Sequence, residues 1–285
     1  MTKDPAASSS LSQKRPRMTT LKLQAHFRLL VTTLFTASLL GCGGVPPTPA
    51  PVFPNITGNW QFEVGSPGSG NTILIGSPIA TLSGSLSSTG GKVTGILTAL
   101  SISVTPCIGS NTDIQVSGTI DSAGNLNLTA PIAGGVATLT AVVQNPALPG
   151  FNGTYQVVGG PCAQASSGLL SVEVPNISGT YAGTLKQPTA QGTGSLTVKA
   201  MLVESTAPNA DGKYPLTGSV TYSGDCTGTF SFNNGLVSGV NVQSGPGLGE
   251  FSGSVSILAT QPFFVELFGP TGCAGLAYSG NLTLQ

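Results

Sequence analysis

The sequence predicts an all-β protein of two tandem small antiparallel up-and-down β-barrels, with β-sandwiches as the alternative architecture. Three observations predict this class: alternating apolar and polar residues, closely spaced turn sequences, and an internal repeat in the chain that follows a leader. Beyond residue 42 no stretch shows sustained 3.6-residue apolar periodicity with helix-forming residues. The short consecutive strands that remain are typical of barrels and sandwiches.

The chain begins with a segment typical of protein export. Residues 29–40 form a largely apolar run, shorter than the roughly 20 residues that a membrane-spanning helix needs. Basic residues precede this run, as in a secretory signal: Lys14, Arg15, Arg17, Lys22 and Arg28. The residues before Met18 are polar and add nothing to this layout, so translation from Met1 and from Met18 both agree with it.

The apolar run ends in the tetrapeptide Leu39-Leu40-Gly41-Cys42. This tetrapeptide resembles the lipobox of bacterial lipoproteins, and the alternative is an ordinary signal peptide followed by an unrelated cysteine. The resemblance implies a signal peptide over residues 1–41 and lipid on Cys42, with acyl chains enough for stable membrane anchoring. Gly43 replaces the Asp that such lipoproteins use for inner-membrane retention, which favours the outer membrane and leaves its periplasmic or surface face open.

Residues 42–54 are predicted to be a tether. This segment is rich in proline and glycine, and its prolines are Pro46, Pro47, Pro49, Pro51 and Pro54. Proline-rich chain favours extended polyproline geometry, so the tether is expected to act as a semi-rigid spacer off the membrane.

An internal repeat divides the rest of the chain. Residues 54–60 read Pro-Asn-Ile-Thr-Gly-Asn-Trp, and residues 175–181 read Pro-Asn-Ile-Ser-Gly-Thr-Tyr. The repeat predicts a first β domain at 55–174 and a second at 175–285, each of ordinary domain size.

Alternation and turn sequences predict the strands of these domains. The second domain yields eight candidate strands: 177–186, 194–204, 214–222, 226–232, 236–243, 250–258, 262–268 and 275–284. The clearest turn sequences are Thr89-Gly90-Gly91, Ser122-Ala123-Gly124-Asn125, Asn209-Ala210-Asp211-Gly212 and Asn233-Asn234-Gly235.

Aromatic residues recur at one position of the repeat. Gly58-Asn59-Trp60 resembles the Gly-x-Trp sequence at the first strand of lipocalin-like barrels, which favours a barrel over a sandwich. The second copy departs from it with Tyr181, and the chain has no Arg after the leader to cover the tryptophan. The shared position predicts core packing for Trp60 and Tyr181. Phe263 and Phe264 are adjacent on a candidate strand, so they are expected to point to opposite faces.

Four cysteines follow Cys42, and an even number in an exported chain predicts disulfides. Of the three pairings, only Cys107–Cys162 with Cys226–Cys273 keeps each bridge within one copy of the repeat at matching positions. Pairing across the two domains is the alternative.

Charge and composition exclude several kinds of site from the chain after residue 41. It contains four Lys and nine acidic residues, a net charge of 4 − 9 = −5, which argues against a nucleic-acid partner. The single His, His26, and every Arg lie in the leader, so Ser-His-Asp triads, Cys-His pairs and His-ligated zinc are excluded. No catalytic residue, metal ligand or cofactor is predicted, and Asp121, Asp211 and Asp225 are assigned to turns.

These observations favour a non-enzymatic, lipid-anchored cell-envelope protein whose two disulfide-bonded β domains act as a structural or interaction module. An envelope protein or a glycan is the candidate partner, beside the membrane reached through Cys42. A β-barrel that binds a small ligand or glycan is the alternative, and it requires an open, apolar-lined interior. A hydrolase built on carboxylates alone would need two Asp or Glu side chains about 5 to 10 Å apart in a cleft.

Overall fold

The protein is described here from a computed structural model. It describes residues 49–65, 80–102, 112–132, 134–143, 150–161, 163–188, 192–245, 250–255, 263–270, 272–273 and 275–285. The signal segment with Cys42, most of the tether, Cys107 and Cys162 lie outside these residues. Within them, no helix has the length and apolarity required to cross a membrane.

The first closed barrel, barrel 1, is built from eight antiparallel strands in chain order. They are β1 (Gly58–Gly65), β2 (Ala80–Thr89), β3 (Lys92–Ile102), β4 (Asp113–Ile120), β5 (Asn125–Ile132), β6 (Gly135–Val143), β7 (Gly150–Val158) and β8 (Gln164–Val174). The barrel closes because β1 pairs with β2 on one side and with β8 on the other, so that Trp60 lies opposite both Gly84 and Glu173.

The second closed barrel, barrel 2, repeats this arrangement. Its strands are β9 (Gly179–Lys186), β10 (Ser195–Glu204), β11 (Tyr214–Gly224), β12 (Gly228–Ser238), β13 (Asn241–Gln243), β14 (Glu250–Ser254), β15 (Phe263–Phe268) and β16 (Ala277–Leu284). Strand β9 closes the barrel by pairing with β10 and β16. The prediction of two tandem up-and-down barrels is therefore confirmed, and both belong to one compact unit at 51–285.

Each barrel encloses its own hydrophobic core. Alternation is clearest on β10, where the residues from Leu196 to Leu202 at every second position are buried and those between them are exposed. The residual cavity inside barrel 1, between Leu97, Val116, Leu139 and Tyr155, has a volume of about 10 Å³. This is no more than about one water molecule occupies, so side chains fill this part of the barrel 1 interior.

One predicted turn, Asn233-Asn234-Gly235, is wrong. Strand β12 runs through these residues without interruption, and the chain turns instead at Gly239. The register shows why: Leu216 lies opposite Gly235 whereas Gly218 lies opposite Phe232, so β12 carries one extra residue here. The two asparagines therefore belong to a β-bulge. Residues that form turns are also found at bulges, so the same sequence fits both structures. The other three predicted turns are present.

Candidate functional site

The repeated Pro-Asn-Ile-x-Gly sequence closes one end of each barrel. In barrel 1 the buried Ile56 donates its backbone N–H to Ser88 Oγ at 3.0 Å, and Ser88 donates its own N–H to Thr57 Oγ1 at 3.0 Å. In barrel 2 Ile177 donates to Glu204 Oε2 at 2.7 Å, and Glu204 N–H donates to Ser178 Oγ at 2.9 Å. The recurring motif is therefore a structural closure that satisfies buried backbone groups.

Glu204 occupies in barrel 2 the place that Ser88 occupies in barrel 1. Each residue lies at the end of the second strand of its barrel and accepts a hydrogen bond from the N–H of the motif isoleucine. A serine hydroxyl and a glutamate carboxylate differ in charge, and Glu204 is only 6% exposed. Burial raises the pKa of its carboxyl group above the ordinary value, and the bond from Ile177 partly opposes this.

We expect Glu204→Gln to flatten the pH dependence of the stability of barrel 2. The folded protein binds the Glu204 proton more tightly than the unfolded chain does, because its folded pKa is raised. Stability is therefore greatest below the unfolded pKa of about 4.5 and falls as pH rises through the folded value. Gln keeps an oxygen acceptor for Ile177 and loses the charge. Thermal unfolding between about pH 4 and pH 8 measures the effect.

Glu204→Ala is the matched comparison, since it removes the acceptor as well as the charge. It is expected to lower the free energy of unfolding by about 1–3 kcal/mol, because the Ile177 N–H loses its partner. Parallel pH profiles for the wild type and the Gln variant would contradict the assigned role of Glu204.

The two barrels are docked by hydrogen bonds between side chains of barrel 1 and the β12–β13 turn of barrel 2. Asn59 Nδ2 donates to the Gly239 carbonyl at 3.0 Å, and Gly239 N–H donates to Asn59 Oδ1 at 2.8 Å. Ser83 and Ser238 share a hydroxyl–hydroxyl bond of 2.8 Å. Asn59 and Ser83 are buried, although the alternation of β1 and β2 turns them away from the barrel 1 core.

A second contact joins the barrels at the β10–β11 loop. Gly212 has a φ of 74°, and a β-carbon there would lie 2.6 Å from the Ile96 carbonyl oxygen of barrel 1. Next to it, Lys213 Nζ lies 3.7 Å from Asp113 Oδ1. Barrel 2 is thus held against barrel 1 at two separated places.

Gly239→Ala is expected to break the first of these contacts. Gly239 has a φ of 54°, and an added β-carbon would overlap Gln61 Oε1 and lie 2.6 Å from Ser83 Cβ. Asn59→Ala tests the same contact by removing both bonds to Gly239, with an expected loss of about 1–3 kcal/mol. Native-state hydrogen exchange at the Gly239 amide measures the loss of protection in Asn59→Ala.

The control for Asn59→Ala is Asn127→Ala, an exposed asparagine on β5. It is expected to leave the exchange of the Gly239 amide unchanged. Equal protection of that amide in both variants would show that Asn59 does not hold the barrels together.

A cleft with a volume of about 1020 Å³ lies between the two barrels. Barrel 1 contributes residues of β1 to β5 together with Glu173 and Val174 of β8, the linker contributes 175 and 176, and barrel 2 contributes 204–210 with Tyr214. The exposed lining side chains combine hydroxyls and amides, among them Ser87, Thr94, Gln115 and Asn176, with apolar residues such as Pro208.

Two carboxylates and one phenol are the titratable groups of the cleft lining: Glu173, Glu204 and Tyr214. Partial burial raises the pKa of Glu173 as burial raises that of Glu204. The pKa of Tyr214 is raised to about 12, first by burial and then by the negative charges of Glu204 and Glu173. Both carboxylates therefore interact electrostatically with the Tyr214 phenol, so the three groups lie close together.

The structure places the other predicted residues as follows. Cys226 and Cys273 form a disulfide with Cα atoms 5.6 Å apart, in the β11–β12 and β15–β16 connections. Cys107 and Cys162, which are predicted to pair in barrel 1, and Cys42 lie outside the described residues. Trp60 is fully buried, and Tyr181 is half-buried against the barrel 2 core.

The predicted turn aspartates and the phenylalanine pair also have defined positions. Asp121 accepts the N–H groups of Ala123 and Asn125 in its turn, and Asp211 lies in the β10–β11 turn. Asp225 additionally accepts a hydrogen bond of 3.3 Å from the hydroxyl of buried Tyr278. Phe263 is 4% exposed and Phe264 is 42% exposed, in agreement with strand alternation.

Sequence reasoning missed the two cleft glutamates. Glu204 had a detectable signal, because it continues the inward-facing series Leu196, Val198, Ala200 and Leu202 and is the only charged member of that series. Glu173 of β8 lies opposite Trp60 of β1. Gly58 leaves room for the Glu173 side chain, since a β-carbon at 58 would lie 2.8 Å from Glu173 Oε1. That relation depends on the strand register and is not visible in the sequence.

Within the described part of the chain, no group of three or more His, Cys, Asp or Glu side chains is arranged to hold a metal ion. The groups of the cleft that can contact a ligand are its hydrogen-bonding side chains and its carboxylates. Comparisons with protein-family models, with curated proteins and with solved structures found no match for this chain.

Proposed function

We propose that this protein is a lipid-anchored component of the bacterial cell envelope, with two β-barrels that act as a structural or interaction module. The observation that carries the proposal is the tetrapeptide Leu39-Leu40-Gly41-Cys42 at the end of an export signal. Gly43 after the cysteine favours the outer membrane. The absence of His and Arg after residue 41 supports a non-enzymatic role, because conventional triads and His-ligated zinc sites need these residues.

The filled part of the barrel 1 interior supports an interaction module over a barrel that carries its ligand inside. The cavity within barrel 1 is about 10 Å³, far below the several hundred Å³ of a typical ligand pocket. The barrels are joined through buried hydrogen bonds at Asn59 and Ser83. Such a pair offers its outer surface and its inter-barrel cleft to an envelope protein or a glycan.

A second candidate function is binding of a small ligand or glycan. The observation that favours it is the cleft of about 1020 Å³ between the barrels, in place of the open apolar barrel interior that the sequence led us to expect for this alternative.

Metabolic labelling with palmitate tests the anchor. The wild-type protein is expected to incorporate label and to fractionate with detergent-soluble membranes, whereas Cys42→Ser is expected to do neither. The double variant Cys226→Ser/Cys273→Ser is the control, because it removes two other cysteines and keeps Cys42. An unlabelled wild-type protein would overturn the proposed anchor, and protease added to intact cells reports which membrane face carries the barrels.

A further inference from the structure

The cleft between the barrels has the dimensions of a ligand site. Its volume of about 1020 Å³ is at the upper end of the range of small-molecule pockets, which is about 300–1,000 Å³. Its walls come from both barrels and the linker, so neither barrel forms it alone.

The walls of the cleft are fixed before any ligand arrives. Asn59 holds the β12–β13 turn through two hydrogen bonds, and Lys213 lies 3.7 Å from Asp113 where the β10–β11 loop meets barrel 1. A pre-formed site binds more tightly than one that must be ordered on binding, because less conformational entropy is lost.

The lining defines the charge of the ligand. Glu173 and Glu204 are acidic, and none of the described lining residues is Lys, Arg or His. Lys213, which precedes the lining residue Tyr214 in the chain, is directed to Asp113. Glu204 is buried and accepts the Ile177 N–H, so Glu173 is the carboxylate that a ligand can reach. An anionic ligand would be repelled by Glu173, whereas an ammonium group would form a charge-assisted hydrogen bond with it.

The lining also defines the rest of the ligand. Exposed hydroxyl and amide side chains at Ser87, Thr94, Gln115 and Asn176 supply donors and acceptors along the cleft. These groups suit a ligand that carries several hydroxyl or amide groups of its own.

We propose that the inter-barrel cleft binds a small polar cation, an amine-bearing molecule with several hydroxyl or amide groups, through Glu173. This inference rests on the second candidate function given above, for which it names the class of ligand, and it does not depend on the lipid anchor. The ammonium group lies at the carboxylate end of the cleft, and the hydroxyl groups lie along β2–β4.

Isothermal titration calorimetry of the full chain in detergent tests the site with matched probes. The probes are a fully deacetylated glucosamine trimer, its neutral N-acetylated counterpart, a galacturonic acid trimer and spermidine. The glucosamine trimer and spermidine are expected to bind, the two other trimers are not, and affinity is expected to fall as salt rises.

Charge variants identify the carboxylate that holds the cation. Glu173→Gln is expected to weaken binding of the glucosamine trimer by about tenfold, the effect of losing one charge-assisted bond. Glu250→Gln is the control, because it removes one negative charge from an exposed residue outside the cleft. Equal losses in both variants would show that the cation is attracted by net charge alone and would overturn the site.

Bulk variants identify the place of binding. Thr94→Trp fills the cleft from an exposed position on β3 and is expected to abolish binding. Thr140→Trp adds the same bulk at an exposed position on β6 that does not line the cleft, and it is expected to bind as the wild type does. Binding that survives Thr94→Trp, equal binding of the neutral trimer, or no binding at about 10 mM probe would each overturn the proposal. A labelled Cys42 with no cation binding would leave the envelope module standing without this site.

Discussion

Replacement of both Cys226 and Cys273 by serine is expected to lower the free energy of unfolding of barrel 2 by about 2–4 kcal/mol. The disulfide joins residues separated by 47 positions, and closing a loop of that length destabilises the unfolded chain by about 4 kcal/mol in the chain-entropy model. Engineered and natural bridges both show values below this figure, so about 2–4 kcal/mol is the expected range. Urea unfolding followed by circular dichroism measures the change.

The fluorescence of Trp60 provides the internal control for this prediction. It is the only tryptophan in the chain, and it lies in the core of barrel 1. Its unfolding transition is expected to keep its midpoint in the double serine variant, while the circular dichroism transition of barrel 2 moves to lower urea. A matching shift in the Trp60 transition would contradict independent stabilisation of barrel 2 by its disulfide.

Trp60→Ala is expected to lower the stability of barrel 1 by about 3–5 kcal/mol, the usual loss for truncation of a buried aromatic residue. The Trp60 ring is 1% exposed, and its centroid lies 5.0 Å from that of Phe151. Its indole N–H donates to the Ile56 carbonyl at 2.9 Å, so the ring also holds the closing motif in place. Hydrogen exchange of barrel 1 core amides, read by mass spectrometry, measures the change.

Trp60→Phe separates the two roles of this residue. Phe keeps most of the contact with Phe151 and leaves the Ile56 carbonyl without its donor, so a smaller loss than that of Trp60→Ala is expected. If the two variants were equally unstable, the hydrogen bond and not the packing would dominate, and the core role of Trp60 would need revision.

The barrel fold was predictable because its signals are local. Alternation on β10 and the glycine turn at Gly90-Gly91 follow from neighbouring residues, and a closed barrel needs only such strands in sequence. The bulge at Asn233-Asn234 was not predictable, because turns and bulges favour the same residue types and the strand register decides between them.

The cleft was not predictable because it arises between the barrels. Asn59 lies on the polar face of β1, and strand alternation predicts that it is exposed to solvent. In the structure, barrel 2 buries it. Its partner Gly239 is 180 positions away. Nothing in either local sequence pairs these residues. The carboxylates of Glu173 and Glu204 share one cleft because the short linker between the barrels carries Ile177, whose N–H binds Glu204.

The two copies of the repeat contribute different groups to the contact between the barrels. Asn59 of the first copy corresponds to Thr180 in the second, and the short turn at Gly239 corresponds in barrel 1 to the longer Asp121–Gly124 connection. Barrel 1 supplies the surface around Asn59, and barrel 2 supplies the turn at Gly239 that binds to it within the same chain. Propagation into a filament requires both surfaces on every unit. Because the two copies differ at these positions, the contact runs in one direction only, from the turn of barrel 2 to the surface of barrel 1.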